Sequence, residues 1–139
     1  MSRQHNIIMD DVDAARESRP LHQLTAQSEV VYLLNACNGW WQERRELMDA
    51  HPSGKAYVTI ACLGLITSEV AEAMEAVRKH DPQTWGDWKT KDTLVRELAG
   101  TIVRVLDLSA ALNLDIGAAF DAELEANSKR GHKHGGKAA

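Results

Sequence analysis

Lys55-Ala-Tyr-Val-Thr-Ile-Ala-Cys-Leu-Gly-Leu-Ile-Thr-Ser-Glu-Val-Ala-Glu-Ala-Met-Glu-Ala-Val-Arg-Lys79 is the stretch on which the fold turns. From Tyr57 to Ile66 it is apolar nearly all round. Beyond that, Val70, Ala73, Met74 and Val77 recur at helical spacing beside polar neighbours. A run of this length without period-two alternation reads as one long central helix, buried on more than one side. Such girth exceeds what a single small bundle covers, so the core is expected to be completed by oligomerisation, as a homodimer or homotetramer.

The same stretch carries a chemical signal. Glu69 and Glu72 are three residues apart among aliphatic neighbours, so on a helix they share a face about one turn apart. Glu97, in Arg96-Glu-Leu-Ala-Gly100, stands in a second apolar helical stretch. If the two helices face each other, the three glutamates form a set of hard oxygen ligands suited to Mg²⁺ or Mn²⁺ and, through the metal, to a phosphate substrate. The competing reading is a solvated polar face whose carboxylates pair with Arg78 or Lys79.

On the N-terminal side, His51-Pro-Ser-Gly54 is a break with strong turn chemistry. Before it, Val30, Val31, Leu34, Cys37 and Trp41 recur at helical spacing from Leu24, predicting a first long helix capped by Thr25 or Ser28, with Asn38-Gly39 as the place where it would kink. On the C-terminal side, Asp81-Pro-Gln-Thr-Trp-Gly-Asp-Trp88 reads as a loop packed down by Trp85 and Trp88. Thr90 or Asp92 is then expected to cap a third helix reaching about Asn113, with Leu94, Leu98, Ile102, Val105, Leu106 and Leu108 inward. Asp115 can cap a fourth, carrying Ile116, Phe120 and Leu124. The expectation is an all-α bundle of about four main helices over residues 21–130, an N-terminal arm over 1–20, and a basic Gly/His-rich tail over 131–139.

At 139 residues there is room for one core. A net charge of -4 disfavours a general nucleic-acid partner, and no window approaches the ~20 apolar residues of a membrane span, so a cytoplasmic protein is expected. Cys37 and Cys62 lack metal spacing and read as buried free thiols. His132 and His134 lack a third ligand at suitable spacing for a transition metal.

Several modest motifs, taken in order, carry a resemblance. Ile66-Thr-Ser-Glu-Val-Ala-Glu-Ala-Met-Glu-Ala-Val-Arg78, a short Trp-bearing loop, Arg96-Glu-Leu-Ala-Gly-Thr-Ile-Val-Arg-Val-Leu-Asp-Leu108, and a tail with Asn127-Ser-Lys-Arg130 and His134-Gly-Gly-Lys137 together resemble the MazG-like all-α nucleoside triphosphate pyrophosphohydrolases over roughly residues 30 to 137. The resemblance implies a metal-dependent enzyme converting a (d)NTP to (d)NMP and pyrophosphate, with Glu69, Glu72 and Glu97 as catalytic metal ligands for Mg²⁺ or Mn²⁺. The family's Glu-x-x-Glu is matched by Glu69 and Glu72. Its Glu-x-x-Asp is matched by Glu97 alone, because the aspartate falls on Gly100. Asp107 lies on nearly the same helix face as Gly100 but roughly 10 Å further along at ~1.5 Å per residue. It is therefore open between a second metal, an outer water and an i,i+3 pair with Arg104. Glu75 is a weaker ligand candidate.

Asn38-Gly-Trp-Trp41 resembles the family's nucleotide-pocket segment, which implies substrate binding by Asn38 and Trp41, with core packing equally open to the tryptophans. Asn127, Arg130, His134 and Lys137 match the family's tail and would bind phosphates. Glu123 stands where many members carry lysine. Some phage members act on purine deoxynucleotides, including enzymes preparing precursors of 2-aminoadenine DNA, and dGTP or dATP is compatible with this chain. The alternatives are a catalytically silent helical oligomer binding a nucleotide or a protein, and a dUTP- or dCTP-directed hydrolase on the same scaffold.

Overall fold

The computed structural model describes residues 23–79 and 94–129. Among them are five helices and no strand: α1 (Gln23–Cys37), α2 (Gln42–Ala50), α3 (Gly54–Lys79), α4 (Leu94–Ala111) and α5 (Ile116–Ser128). The expected all-α class is the one adopted. The arm, the loop with Trp85 and Trp88, the caps expected at Thr90 and Asp92, and the tail from Arg130 lie outside the described residues.

The described residues fall into two compact units, one within 28–114 and one made of 23–27 with 115–129. In the second, Thr25 and Asp115 organise the start of α5. Thr25 Oγ1 donates to Asp115 Oδ1 at 2.8 Å and accepts from the Gly117 N–H at 3.1 Å, while Asp115 Oδ1 accepts from the Ala118 N–H at 3.1 Å. Asp115 is thus the N-cap the sequence predicts, satisfying a donor that the first helical turn leaves without a partner. Thr25 lies inside α1 and serves α5 instead of capping its own helix.

In the larger unit the first long helix stops where a kink is expected. Gly39 takes a φ of 86°, its N–H reaches the Ala36 carbonyl at 3.0 Å, and the Trp40 N–H reaches the Asn35 carbonyl at 3.1 Å. This pair of bonds closes a helix with a left-handed residue one place past its C-cap, a conformation that glycine adopts without steric cost. The chain leaves α1 there and begins α2 at Gln42. The turn after α2 forms at the expected place: the Gly54 N–H bonds the His51 carbonyl at 2.8 Å and the Ser53 N–H bonds His51 Nδ1 at 3.0 Å. A Cβ on Gly54 would collide with the Leu47 carbonyl, so the close approach of α2 to α3 requires glycine there. At the end of α4, Asn113 (φ 57°) repeats the closure seen at Gly39, with its N–H on the Ala110 carbonyl and the Leu114 N–H on the Ser109 carbonyl, each at 2.9 Å.

Helices α3 and α4 pack against each other and run antiparallel: Val58 and Cys62 meet Leu108, while Glu69 meets Gly100 and Arg104. The core is Trp41, Val58, Cys62 and Leu108, with Tyr32, Ala36, Met48 and Ile66 packed on it. Several expected inward faces are turned outward. Val30, Leu34 and Cys37 are exposed, as are Leu98 and Ile102, whereas Ser28, Tyr32 and Ala36 take the inward side of α1. Helix α1 is apolar on more than one side, so periodicity alone does not select the face that packs. Cys62 is the buried thiol expected; Cys37 is not. Large apolar side chains remain exposed along all five helices, including Leu33, Leu47, Ile60, Met74, Val95 and Phe120. Among the described residues no helix is long and apolar enough to cross a membrane.

Candidate functional site

Because the α1 C-terminus closes through Gly39, Asn35 on its last turn and Trp40 just past it lie together on one wall of a cleft of about 280 Å³. Trp40 is 63% exposed, so its indole has a face free for a ring to stack on. Helix α2 adds Arg44, whose guanidinium sits 5.1 Å from the centre of the Trp41 ring. The rest of the lining is Glu69 from α3 and Gly100, Val103, Arg104 and Asp107 from α4. The volume is at the small end of ligand clefts, enough to hold part of a nucleotide.

Asp107 is 8% exposed and its Oδ1 accepts a 2.8 Å hydrogen bond from Trp41 Nε1. Trp41 is 2% exposed, stacks at a tilt on Tyr32 with centroids 5.5 Å apart, and belongs to the core. Its indole therefore takes the packing role, and Trp40 takes the open one. The bond between the two also accounts for a carboxylate inside α4, since a buried acceptor without a donor would cost about 1–3 kcal/mol.

Glu69 ends in a different contact from the one its spacing suggests. Its Oε1 accepts from Arg104 Nε at 2.6 Å. The pair crosses from α3 to α4 over Gly100, where a Cβ would lie 3.2 Å from the Glu69 Cδ and closer still to Oε2. Glycine thus makes the space that the Glu69 carboxylate occupies. The pairing of Asp107 with Arg104 left open by the sequence gives way to this one at Nε. Glu72, exposed on α3, accepts a long 3.4 Å bond from Ser68 Oγ. Glu97 is half-buried on α4. The antiparallel register sets Glu72 opposite Glu97 one turn beyond Glu69 and Gly100. Glu75 is held by Arg78 at 2.6 Å and Lys79 at 3.1 Å, which lower its pKa to about 2, so it is a surface ion pair of α3.

The donor types of Glu69, Glu72 and Glu97 suit a hard divalent cation. Their placement does not make a cage: among the described residues no group of three His, Cys, Asp or Glu side chains is set to hold a metal ion. Asn38 is exposed in the turn after α1, and the amide in the cleft is that of Asn35. Asn127 is exposed on α5. Arg130, His134 and Lys137 lie outside the described residues. Asn35 and Arg44 are the cleft residues that sequence reasoning misses; the signal for Asn35 was a lone amide in an apolar run, and for Arg44 its place three residues after Trp41.

No family model matches the chain, and neither does any curated protein or solved structure.

Proposed function

We propose that the chain is a nucleotide pyrophosphohydrolase of MazG-like type, cleaving a nucleoside triphosphate, taken as its Mg²⁺ or Mn²⁺ complex, to the monophosphate and pyrophosphate. One observation supports this most: a single cleft combines an open indole (Trp40), an amide (Asn35) and two guanidinium groups (Arg44 and Arg104) beside carboxylates. An indole stacks a base, an amide bonds its edge, and guanidinium groups pair with phosphate oxygens in charge-assisted bonds. Charge separation in the cleft is thus of the kind a triphosphate monoester needs. Hydrolysis requires a water oxygen to attack the α-phosphorus, the bond to the β-phosphate oxygen to break, and a proton to pass to an acceptor. Glu72 is the carboxylate assigned to that acceptor role. Because Glu69 is paired with Arg104, no step is assigned to a resident metal.

The same reading makes the protein a cytoplasmic homodimer or homotetramer, since the apolar side chains left exposed on α1, α3 and α4 form more surface of that kind than single scattered residues would. A purine deoxynucleotide is one substrate class that the resemblance leaves open. One observation favours a second reading, a catalytically silent nucleotide-binding oligomer: the absence of a three-carboxylate group among the described residues. A screen of all eight (d)NTPs with Mg²⁺, read as pyrophosphate release, tests the proposal. Cation-dependent release from at least one of them is expected. Nucleotide binding without release in any would leave the silent oligomer as the reading to keep.

A further inference from the structure

Asp107 uses only one of its carboxylate oxygens in the core. Oδ1 accepts from Trp41 Nε1 at 2.8 Å, while Oδ2 has no hydrogen-bond or ion-pair partner among the described residues, although Asp107 is only 8% exposed. No fully buried side-chain oxygen among those residues lacks a partner, so Oδ2 is reached by water, and the cleft is the open space that Asp107 lines. The Trp41 ring is itself packed in the core, so its bond fixes the direction in which the second oxygen is presented. The neighbouring groups are tied to the same stretch of chain. Trp41 follows Trp40 directly, and the Trp40 N–H bonds the Asn35 carbonyl at 3.1 Å. The open indole and the Asn35 amide, whose side chain also has no hydrogen bond among the described residues, share the cleft with Asp107.

What Oδ2 accepts from follows from charge and donor pattern. A carboxylate accepts and repels phosphate oxygens, so the part of a nucleotide that fits against it is one that donates. A sugar hydroxyl donates, but brings no ring to Trp40. Uracil and thymine place their ring N–H between two carbonyl oxygens, and adenine and cytosine set a ring-nitrogen acceptor beside the amino group. Among the common bases guanine alone sets two donors side by side, the N1–H and the N2 amino group, with the O6 acceptor next to them for an amide to donate to.

We propose that Asp107 sets the base preference of this cleft: with Trp40 stacking the ring, Oδ2 accepts from the N1–H and N2 amino group of guanine, and the Asn35 amide donates to O6. This rests on the reading that the cleft binds a nucleotide, but not on turnover.

The test is binding of the non-hydrolysable α,β-methylene analogues of dGTP, dITP, dATP, dCTP and dTTP, each with Mg²⁺, followed by calorimetry. The wild type should bind the guanine analogue about tenfold more tightly than the hypoxanthine one, which lacks only the N2 amino group, and about a hundredfold more tightly than the thymine one. Asp107→Asn keeps an oxygen for the Trp41 bond and turns an amino group toward the base, so the preference for guanine over hypoxanthine should vanish. A merely structural role would weaken all the analogues alike. The wild-type series needs no variant and decides by itself if Asp107→Asn fails to fold. Equal binding of the guanine and hypoxanthine analogues by the wild type, or an unchanged guanine preference in Asp107→Asn, would overturn the assignment and keep the nucleotide cleft. Binding of none of the analogues would overturn both. A guanine preference that the variant loses, with no pyrophosphate released from dGTP by the wild type, would keep the assignment and remove the hydrolase reading.

Discussion

Asp107 and Trp41 carry the clearest single-residue consequence. The Trp41 Nε1 donor and the Asp107 Oδ1 acceptor meet in the core at 2.8 Å, so removing either leaves its partner buried and unpaired. Trp41→Phe keeps most of the ring and deletes the donor; denaturant unfolding should show a loss of about 1–3 kcal/mol. A loss below the error of the measurement would mean that Asp107 finds a replacement donor. The cysteines separate in the same way. Burial raises the Cys62 thiol pKa, the nearby Arg44 charge opposing it in part, whereas Cys37 is exposed. Because the thiolate is the reacting form, iodoacetamide at mild alkaline pH should label Cys37 well before Cys62, as peptide mass analysis would show. Equal labelling rates would contradict the burial of Cys62. A thiol in an apolar run is legible as a core candidate in sequence, but Cys37 shows its limit: the run around it is apolar on several sides, and only packing decides which side turns in.

Turns and helix boundaries were the most legible elements, because their chemistry is local. His51-Pro-Ser-Gly54 and Asp115 act where turn and cap preferences place them. Asn38-Gly39 was legible as an irregularity, but its form depends on the Trp40 and Gly39 amides reaching back to α1, which ends the helix instead of kinking it. Gly39→Ala should therefore cost about 1–2 kcal/mol from forcing a Cβ into the left-handed region, and should weaken ligand binding in the cleft, since Asn35 and Trp40 are positioned by that closure. Stability loss without any change in nucleotide affinity would separate the closure from the site. Helix α3 ends in the Glu75, Arg78 and Lys79 group, with the Glu75 pKa lowered to about 2 by Arg78 first and Lys79 second. A carboxylate depressed on folding contributes stability above its unfolded pKa and loses it as pH falls through the folded value. The contribution of this group should therefore fade between about 4.5 and about 2. Comparing acid unfolding of Glu75→Gln with that of the wild type should show the two curves converging across that window. Curves that stay parallel through it would remove the pairs from the stability of α3.

At the level of the whole molecule, the class and the pairing of the two carboxylate-bearing helices could be read from sequence, because long apolar periodicity and a facing pair of glutamate motifs leave few arrangements. The state of those carboxylates could not. Whether Glu69 meets a cation or Arg104 depends on which long side chain reaches across from α4, and spacing along α3 says nothing about that. Association is expected from the girth of α3, on which Ile60 and Met74 are exposed. Ile60→Glu should shift the sedimentation of a dimer or tetramer toward the monomer if α3 lies in the interface, and an unchanged profile would place the interface elsewhere. The central claim is hydrolysis of a nucleoside triphosphate bound in this cleft, with Glu72 as the proton acceptor. Its most direct test is pyrophosphate release by wild type and by Glu72→Gln at equal concentration, each with saturating (d)NTP and Mg²⁺. The account predicts release by the wild type and a fall of at least ~10²-fold in the variant with its helical signal intact. Absence of release from the wild type, or equal release by the two proteins, would contradict it.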